Sequence, residues 1–450
     1  MEKVKIILPP SVEEIISRLE GAGFSAYAVG GCVRDAMLGK IPFDWDVTTS
    51  AKPNQILEVF SYAQTIPTGL KHGTVTVRLR GENYEVTTFR TDGEYRDSRH
   101  PEKVEFVTDI GEDLKRRDFT VNAMAYNPKE GLIDLYGGLS DLKRGIIRAV
   151  GCPKERFLED ALRVLRGVRF VSTTGFDVEE KTLLAMVETA NNLTAVSVER
   201  IFVELDKLLL GKFVKKALTV APEVIFSVIP ELEKCYGFLQ HSKWHLHDVY
   251  THTVTAVEGV KAESRLRWCM LLHDIGKPDK FFIDQKGEGH FYGHADLSEI
   301  IADGILKRLK APTKFSKDVL FLIKNHDAPF PSTRNKLKRK MSVLGERAVL
   351  DLCEVKLADG YGQGTELAKA ESQKVKETKT LILDIISSGE CYKLKDLKVS
   401  GLDAGKIGFK GEEIGKVLDE TLNLVICGNL ENDREKLLLF LQNKFKKVSQ

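Results

Sequence analysis

Two aspartates alternate with apolar residues in the segment Phe43-Asp44-Trp45-Asp46-Val47, which follows the double glycine of Val29-Gly30-Gly31-Cys32. Because alternate residues of a strand share a face, this spacing predicts that Asp44 and Asp46 project together while Trp45 enters a core. Two such carboxylates repel each other unless a cation lies between them, and Mg²⁺ prefers hard oxygen ligands. Glycines let the backbone approach a phosphate, and a following helix would present its N-terminus to it. The pattern predicts nucleotide chemistry.

The bulk composition is that of a soluble globular protein of two to four domains, because the chain has 450 residues, of which 42% are hydrophobic and 29% charged. No apolar run reaches the roughly 20 residues of a membrane span, and the N-terminus lacks a signal-peptide pattern. We therefore expect a cytoplasmic protein without a membrane partner. The seven cysteines form no Cys-x-x-Cys pair, which favours reduced, mostly buried thiols.

The net charge of +2 means that a nucleic acid would have to bind local basic patches. The segments Arg334–Lys340 and Lys444–Lys447 are two such patches. Either could equally be a solvated helix surface.

The first third of the chain mixes strand and helix patterns. Apolar spacing predicts a helix over Ser11–Leu19 with Ser11 as its cap, and strands at Tyr27–Val29 and at Trp45–Thr48. Period-two alternation predicts a hairpin of Thr74–Leu79 and Tyr84–Phe89, joined by the four residues 80–83. From about residue 154 helical spacing dominates, including 155–170, 179–190 and 197–210, and the last ninety residues are helical, amphipathic and lysine-rich. The sequence predicts an α+β head followed by an all-α remainder.

The run from Arg116 to Ala123 places two arginines at the mouth of a helix that Asp118 or Thr120 could begin. The guanidinium of Arg117 suits a triphosphate, because its fork binds phosphate oxygens bidentately. A surface salt bridge is the alternative. Asp118 and Asn122, four residues apart, could face a ribose or cap one another.

A second polar pattern repeats every third residue at Asp160, Arg163, Arg166 and Arg169, which predicts one polar helix face. Cytosine and adenine both present an amino donor beside a ring-nitrogen acceptor, so Asp160 accepting and Arg163 donating would complement either base. Guanine and uracil would leave both groups unpaired, at roughly 1–3 kcal/mol for each mismatch. A solvent-exposed ladder of ion pairs is the alternative.

Taken in order, these four motifs resemble the class II tRNA nucleotidyltransferase family, the bacterial CCA-adding enzymes and their poly(A) polymerase relatives. The matching runs are Val29–Asp35, Asp44-x-Asp46, Arg116–Ala123 and Glu159-Asp160-x-x-Arg163. The resemblance implies a polymerase-β-like nucleotidyltransferase sheet with helices, followed by all-α neck, HD and tail domains. The corresponding ranges are 1–150 for the head, 151–240 for the neck and body with the base-reading helix, 241–365 for the HD domain and 366–450 for an RNA-binding tail.

The resemblance also implies the roles of individual residues. Asp44 and Asp46 would bind Mg²⁺, with Glu85 as a third catalytic carboxylate. Gly30, Gly31, Arg34 and Arg117 would hold the nucleotide phosphates, with Asp118 and Asn122 beside them. Asp160 and Arg163 would read the base, with Arg166 and Arg169 nearby. The polar segment Arg90–Pro101 is expected to be a mobile loop, which in the family is linked to the final addition of A, although a plain surface loop is the alternative.

The second half of the chain concentrates histidines: eight of the ten lie between 241 and 326. His273-Asp274 ends an apolar run and resembles the HD phosphohydrolase superfamily, which implies hydrolysis of a phosphoester. In that comparison His252, His273, Asp274 and Asp359 form the minimal metal set, and His294 and His326 support a second metal. Imidazole and carboxylate ligands suit Mn²⁺, Ni²⁺, Fe²⁺ or Zn²⁺. Lys277 is expected either to touch a substrate phosphate or to be solvated, and structural roles are expected for His241, His245, His247 and His290.

The sequence thus predicts an enzyme that adds C, C and A to the tRNA 3′ end from CTP and ATP without a nucleic-acid template, releasing pyrophosphate. No DNA partner is expected. A poly(A) polymerase or A-adding enzyme is the alternative with the same fold. A metal phosphohydrolase with a regulatory, nucleotide-sensing head is the alternative of another class. For the HD domain we expect phosphoesters at RNA ends, 2′,3′-cyclic phosphates or 2′-phosphates, as substrates.

Overall fold

The computed structural model describes residues 5–92 and 104–448. The chain divides into two compact units, one of residues 1–233 with 307–311 and the other of residues 234–306 with 312–450. The mixed sheet and the helices that follow it lie in the first unit. The histidine-rich region and the lysine-rich tail lie in the second unit.

The first unit contains strands and helices in alternation, and then helices almost alone. Its strands are β1 (Ala26–Val29), β2 (Asp46–Thr49), β3 (Gln64–Gly69), β4 (Thr74–Leu79), β5 (Glu82–Thr88), β6 (Arg90–Asp92), β7 (Val104–Phe106), β8 (Ala125–Asn127), β9 (Gly131–Ile133), β10 (Ile146–Ile147) and β11 (Asp177–Val178). Its helices are α1 (Pro10–Gly21), α2 (Gly31–Met37), α3 (Pro53–Val59), α4 (Ile110–Lys115), α5 (Gly138–Arg144), α6 (Pro153–Glu159), α7 (Leu162–Thr174), α8 (Glu180–Thr189), α9 (Val198–Leu209), α10 (Val214–Val220) and α11 (Pro222–Phe226).

Within the described residues the head is built on a seven-stranded sheet in the order β3-β4-β5-β2-β1-β8-β9. Strands β2 and β5 run parallel at its centre, and the other neighbours are antiparallel. The central pair is rich in valine and threonine, which suit a strand covered by protein. This arrangement sets Asp46 in register with Glu85. The predicted α+β class is confirmed.

The hairpin of β4 and β5 has a tighter turn than the sequence suggested. Leu79 pairs with Glu82, so Arg80 and Gly81 alone form the turn, with φ values of 52° and 86°. Two positive φ values match the twist of a two-residue hairpin turn. The predicted four-residue connection was therefore too long, because Glu82 and Asn83 already belong to β5.

Two other local predictions need correction. Ser11 is buried inside α1 and caps nothing, because the helix already begins at Pro10, where a missing amide hydrogen costs no hydrogen bond. Arg90–Asp92, predicted as the start of a mobile loop, form β6 and pair with β7. The remainder of that predicted loop, from residue 93 onward, lies outside the described residues.

The helix predicted over 155–170 is interrupted. Helix α6 ends at Glu159, and Asp160 has extended backbone angles (φ −139°, ψ 103°) before α7 begins at Leu162. The Asp160 carboxylate accepts a hydrogen bond from the Leu162 amide at 3.1 Å and so satisfies one of the first free amides of α7. Asp160 therefore lies at a helix junction and does not share a continuous helix face with the arginines.

As far as the structure describes it, the second unit is helical apart from one small hairpin. Its strands are β12 (Phe282–Ile283) and β13 (Gly289–His290). Its helices are α12 (Val249–Gly259), α13 (Ser264–Leu272), α14 (Lys277–Lys280), α15 (His294–Arg308), α16 (Thr313–Asn325), α17 (Arg334–Leu344), α18 (Glu346–Gln363), α19 (Glu366–Ser387), α20 (Gly401–Ile407), α21 (Glu412–Cys427) and α22 (Arg434–Val448). The all-α prediction for this region is confirmed apart from the hairpin.

The basic segment of α17 makes its contacts within the protein. Arg334 donates to the Asp384 carboxylate at 2.8 Å and also pairs with Glu390, and the buried Lys338 lies 3.2 Å from Glu390. Lys340 lies over the ring of Phe330 at 4.5 Å. Two of the five cations of this patch, Arg334 and Lys338, are thus paired with carboxylates of the tail.

The seven cysteines are free thiols, of which Cys32, Cys235, Cys269 and Cys353 are buried. Over the described parts of the chain, no helix is long and apolar enough to cross a membrane.

Candidate active sites in the two units

The first candidate site begins at the edge of β2. Exposure alternates as predicted, with Asp44 and Asp46 exposed and Trp45 and Val47 buried, although Asp44 precedes the strand. Desolvation by the surrounding protein and the charges of Asp44 and Glu85 raise the pKa of Asp46 to about 6. The three carboxylates are therefore electrostatic neighbours, and the arrangement favours a bound cation.

The glycine pair lies between β1 and α2, and its backbone is crowded by arginine side chains. Gly30 has φ +84°, and a Cβ atom there would lie 3.1 Å from Nη1 of Arg117. A Cβ atom at Gly31 would lie 3.7 Å from Nη2 of Arg34. The missing side chains at both positions leave space in which the two guanidinium groups lie against the backbone.

The position of Arg117 is set by Asp113 of α4, a residue that the sequence analysis missed. The Asp113 carboxylate has no exposed surface and accepts hydrogen bonds from Arg116 at 2.7 Å and from Arg117 at 3.1 Å. Burial alone would raise the pKa of this carboxyl, but Arg117 and Arg116 outweigh it and hold the pKa below its usual value. Among the described residues Nε of Arg117, which is buried, has no hydrogen-bond partner, so the arginine keeps one unused donor.

Asp118 and Asn122 cap one another, which was one of the two predicted arrangements. The Asn122 amide donates to Oδ1 of Asp118 at 3.2 Å, and Arg166 donates to Oδ2 of Asp118 at 2.9 Å. Burial opposes ionisation of Asp118, but Arg166 and these hydrogen bonds lower its pKa to about 2. Arg34 donates to Oδ1 of Asn122 at 2.7 Å. The helix predicted here is only a 3₁₀ turn, Thr120–Asn122.

A cleft of about 200 Å³ collects half of the predicted nucleotide-binding residues. It is lined by Arg116, Arg117, Asp118, Asp160, Arg163 and Arg166. Within it the polar groups of the predicted base-reading pair contact other parts of the protein. Oδ2 of Asp160 accepts from Arg200 at 2.9 Å, and the buried Arg163 donates to the carbonyl of Arg116 at 2.9 Å and to that of Arg156 at 3.0 Å.

Three arginines surround one phenylalanine beside this cleft. The guanidinium carbons of Arg34, Arg166 and Arg169 lie 5.3, 5.5 and 4.3 Å from the ring centroid of Phe170. Arg169 also pairs with the buried Glu204, a second carboxylate that the sequence analysis missed. Arg169 is thus part of the same cationic group, although it does not line the cleft itself.

The second candidate site lies in the second unit, where the predicted HD residues meet. His252 of α12, His273 and Asp274 after α13, and Asp359 of α18 bring ligand atoms within 4.8 Å of one another. Asp274 also forms a group with His294 of α15 and with His326, which follows α16. In the described residues these are the two sets of three or more metal-binding side chains that lie so close. The structure therefore assembles both predicted metal sets, with Asp274 shared.

The histidine rings are oriented for coordination. Nδ1 of His273, His294 and His326 lies 2.8, 2.9 and 2.7 Å from the backbone carbonyls of Met270, Phe291 and Ile323. Donation from Nδ1 leaves the Nε2 lone pair free, which is the usual arrangement of a histidine that binds a metal.

The Nε2 atoms of the clustered histidines face the shared Asp274. Nε2 of His252 and of His273 lies 3.0 and 3.1 Å from Oδ2 of Asp274. Burial opposes protonation of His273, but Asp274 and Asp359 outweigh it and raise the pKa to about 10. The cluster therefore attracts positive charge, and the donor set fits a divalent transition metal.

Two further residues belong to this site. Lys277 is buried, lies 2.7 Å from Oδ2 of Asp274 and 3.2 Å from Nε2 of His245, and is not solvated. Burial, with the charges of Lys277 and His252, lowers the pKa of His245 to about 3, so this imidazole stays neutral. His245, for which a structural role was predicted, therefore lines the site. No local signal marked it, because its partners lie far along the chain.

These residues open into a cavity of about 480 Å³. Its wall includes Asp274, Lys277, His294, His326, Lys356 and Asp359, and it also carries Trp244, His290 and Tyr292. A cavity with carboxylates and imidazoles at its base and two lysines in its wall can hold both a metal and a phosphate.

Comparison with known protein families divides the chain into three matched regions. Residues 26–148 match the family described as "Poly A polymerase head domain", residues 175–233 match "Probable RNA and SrmB- binding site of polymerase A", and residues 245–362 match "HD domain". The match to the head spans the three carboxylates and Arg117, and the HD match spans both metal-binding groups.

Relatives and solved structures agree over nearly the whole length. A CCA-adding enzyme of Streptococcus suis (strain 05ZYH33) is 33% identical over 442 residues, which are 97% of either chain. The crystal structure of the Bacillus stearothermophilus CCA-adding enzyme in complex with CTP is 29% identical with a TM-score of 0.70, over 98% of this chain and 99% of that one. The Thermotoga maritima CCA-adding enzyme complexed with tRNA shares the fold, at 20% identity and a TM-score of 0.58, over 99% and 100% of the two chains. The chain therefore belongs to the CCA-adding enzymes, which are nucleotidyltransferases, and carries an HD domain.

Proposed function

We propose that this chain adds C, C and A to the 3′ end of tRNA from CTP and ATP, without a nucleic-acid template and with release of pyrophosphate. One observation carries the proposal: Asp46 begins the central strand β2 in register with Glu85 of β5, and the charges of Asp44 and Glu85 both act on it. The CTP complex of the related Bacillus enzyme supports the substrate class.

Asp44, Asp46 and Glu85 would hold Mg²⁺. The fit rests on electrostatics: burial, together with the charges of Asp44 and Glu85, raises the pKa of Asp46 to about 6, and a divalent cation would relieve the repulsion between the carboxylates. When bound, Mg²⁺ would neutralise charge on the triphosphate and ease ionisation of the RNA 3′-hydroxyl. The 3′-oxygen forms a bond to the α-phosphorus as the bond to pyrophosphate breaks, so no covalent enzyme intermediate is needed.

Arginine and glycine residues would hold the triphosphate. Arg117 keeps its Nε donor free, and its Nη1 lies against Gly30, where backbone and guanidinium can both approach phosphate oxygens. Gly31 and Arg34 extend this surface along the start of α2. Asp113 holds Arg117 in place, so the arginine loses less conformational entropy when the nucleotide binds.

Asp160 and Arg163 would select the base. In the structure Arg200 covers the Asp160 carboxylate and the Arg116 carbonyl occupies a donor of Arg163. A cytosine or adenine edge would replace these contacts with equivalent ones, whereas uracil or guanine would break them without compensation. Substituting Asp160 or Arg163 by alanine should therefore weaken discrimination between C and U more than it weakens triphosphate binding. An equal loss for all four nucleotides would contradict the base-reading role.

The decisive experiment incubates the purified protein with tRNA lacking its CCA end, with CTP and ATP singly and together. A CCA-adding enzyme incorporates two C from CTP alone and a terminal A only when both are present. Incorporation of A alone, or of a run of A, would instead indicate the A-adding or poly(A) alternative. If Asp44→Ala left incorporation unchanged while His273→Ala removed all activity, the head would be a regulatory sensor.

We also propose that the HD domain is a metal-dependent phosphohydrolase acting on phosphoesters at RNA ends, 2′,3′-cyclic phosphates or 2′-phosphates. Two adjacent ligand groups that share Asp274 support it. His252, His273, Asp274 and Asp359 would hold one Mn²⁺, Ni²⁺, Fe²⁺ or Zn²⁺, and His294 and His326 a second. The metal would supply Lewis acidity, and Lys277 would supply charge for the phosphate. Elemental analysis of wild type and of His273→Ala, with hydrolysis assays, tests this.

The tRNA 3′ end is the expected partner, consistent with the tRNA complex of the Thermotoga enzyme that shares the fold. The cytoplasmic location, the RNA-binding role of the tail and the absence of DNA and membrane partners stay predictions.

A further inference from the structure

Three aromatic rings gather on the β12–β13 hairpin at the edge of the HD cavity. The ring centroids of Phe282 and His290 lie 5.2 Å apart with 29° between the ring planes, and those of His290 and Tyr292 lie 5.3 Å apart at 18°. Phe282 and Tyr292 lie 5.6 Å apart. The cluster is a short stack of rings with His290 in contact with both of the others.

The stack faces solvent. Tyr292 is 73% exposed and Phe282 is 44% exposed, so neither ring is buried in a core. Apolar surface left open at the rim of a cavity usually marks a binding site. His290 and Tyr292 line the same cavity as His294 and His326, two of the metal-binding histidines. Because only one residue separates Tyr292 from His294, their Cα atoms lie at most about 7 Å apart.

The hairpin that carries the stack is held rigidly. Oδ2 of Asp284 lies 2.9 Å from Nε2 of His290, while Oδ1 accepts from the amides of Lys286 and Glu288. The amide of Gly289 donates to the carbonyl of His241 at 2.7 Å. The rings are therefore presented in a fixed position, which lowers the entropy lost when a flat ligand stacks on them.

The neighbouring cavity wall carries the complementary charge for a phosphate. Lys277 lies beside Asp274, and Nζ of Lys356 donates to the carbonyls of His326 and Asp327 at 3.3 and 3.2 Å. A ligand with one phosphate and one flat apolar ring would satisfy the lysines, the metal-binding groups and the aromatic stack together. Nucleotides have this construction, and any base can stack because each has a π face.

We propose that Phe282, His290 and Tyr292 form a platform on which a nucleobase stacks while its phosphoester occupies the HD cavity. The substrate class is then a nucleoside phosphate or an RNA end, and not a phosphorylated small molecule that lacks a base. This inference rests on the proposed phosphohydrolase function and adds the residues that would make it specific for substrates with a nucleobase.

The test measures hydrolysis of two matched substrates by the full-length, Mn²⁺-loaded protein: adenosine 2′,3′-cyclic phosphate and the 2′,3′-cyclic phosphate of 1-O-methylribose, which lacks the base. Tyr292→Ala should raise KM for the adenosine substrate about tenfold, the effect of losing one base–aromatic stack, and leave KM for the base-free substrate unchanged. Tyr292→Phe should restore the wild-type value. Tyr236→Ala is the matched control, because Tyr236 is also exposed, at 60%, and does not line the cavity.

A second readout separates failure of the platform from failure of the hydrolase. 8-Azidoadenosine 2′-phosphate is cross-linked to the protein by light, and the labelled peptides are mapped. Label within residues 282–292 that is lost in Tyr292→Ala and kept in Tyr236→Ala supports the platform even if no phosphoester is hydrolysed. Hydrolysis with equal KM changes for both substrates, or an unlabelled hairpin, would overturn it. Comparing KM for a short RNA ending in a 2′,3′-cyclic phosphate with KM for adenosine 2′,3′-cyclic phosphate shows whether an RNA end or a free nucleotide binds better.

Discussion

A single buried carboxylate organises the cationic side of the head. Asp113 contacts Arg116, Arg117 and, at 3.4 Å, the hydroxyl of Thr48 on β2, two residues after Asp46. It therefore links the proposed phosphate-binding arginine to the strand that carries Asp46, one of the proposed catalytic carboxylates. An unpaired buried charge would be costly, so the acid and the two arginines depend on one another.

Replacing Asp113 by Asn should lower kcat/KM for CTP about tenfold, because Arg117 loses a charged hydrogen bond and its fixed position. The effect should fall mainly on KM, since Asn leaves the carboxylates of β2 untouched. Steady-state kinetics with CTP measure it, and Glu112→Gln on the same helix is the control. An unchanged KM would show that Arg117 needs no support from Asp113.

The Asp118–Arg166 pair makes a pH-dependent contribution to stability. The pKa of Asp118 is about 2 in the folded protein, against 3.8 for the free group. Because the folded value is the lower one, the stabilisation is complete above the unfolded value and is lost as the pH falls towards 2.

We expect Asp118→Asn to lower the free energy of unfolding by about 2 kcal/mol at pH 7 and by clearly less at pH 3. Guanidinium chloride titrations at pH 7, 5 and 3 measure the difference between variant and wild type. Asp177→Asn, whose carboxylate is 80% exposed, should show almost no difference at any of these values. A penalty for Asp118→Asn that is the same at pH 3 as at pH 7 would contradict the assignment.

The connection from β1 to α2 is the element that brings backbone and guanidinium groups together. Gly30 has a positive φ, and the space above it is occupied by Arg117. Gly23, after α1, has nearly the same φ of +87° with nothing within 4 Å of the place where a Cβ atom would be. Comparing the same substitution at the two glycines therefore separates the effect of backbone strain from the effect of crowding Arg117.

Gly30→Ala should lower nucleotide incorporation at least tenfold, because the added methyl group displaces Arg117, and should also destabilise the protein by about 1 kcal/mol through backbone strain. Gly23→Ala should show the same loss of stability with normal kcat/KM. Thermal unfolding and CTP kinetics on both variants measure the two effects. If both variants incorporate nucleotide normally, Arg117 does not act through its contact with Gly30.

The junction between α6 and α7 shows why one predicted element was wrong. The three-residue spacing from Asp160 to Arg169 fits a helix, and the residues from Arg163 onward do lie in one, α7. At Asp160 the side chain bonds the backbone amide two residues later, which competes with continuation of the helix. Periodicity in the sequence does not register such a local cap.

The whole molecule carries two chemically distinct candidate sites, one in each compact unit. The head site is built from three carboxylates and arginines, and the HD site from histidines, carboxylates and lysines. Hard oxygen ligands favour Mg²⁺ in the first, and mixed nitrogen and oxygen ligands favour a transition metal in the second.

We therefore expect the two activities to be separable. Asp46→Ala should reduce nucleotide incorporation at least a thousandfold and leave hydrolysis of adenosine 2′,3′-cyclic phosphate intact, while His273→Ala should do the reverse. Removing metal with a chelator should stop both, with Mg²⁺ restoring incorporation and Mn²⁺ or Ni²⁺ restoring hydrolysis. Loss of both activities in a folded His273→Ala variant would contradict this independence.

Four strands of the head sheet, β1, β2, β4 and β5, and the helices α1, α8 and α9 could be predicted from the sequence, because alternation and helical spacing are local signals that burial enforces. The proposal of Asp44, Asp46 and His273-Asp274 as site residues also rests on short motifs. Glu204 and His245 could not be found in this way, since each acquires its role from a residue far along the chain. Asp113 lies only three and four residues from its arginines, but its complete burial, which gives the pair its strength, is set by the tertiary fold.

By itself the sequence determined which side chains face a core, which motifs carry carboxylates and imidazoles, and hence the family resemblance. Tertiary structure alone decided the register that sets Asp46 beside Glu85, the burial of Asp113 between two arginines, and the convergence of five helices on Asp274. The reason is physical: pKa shifts, ion pairing and metal-binding geometry depend on burial and on distances of a few ångströms, and both are set mainly by residues that are far apart in the chain.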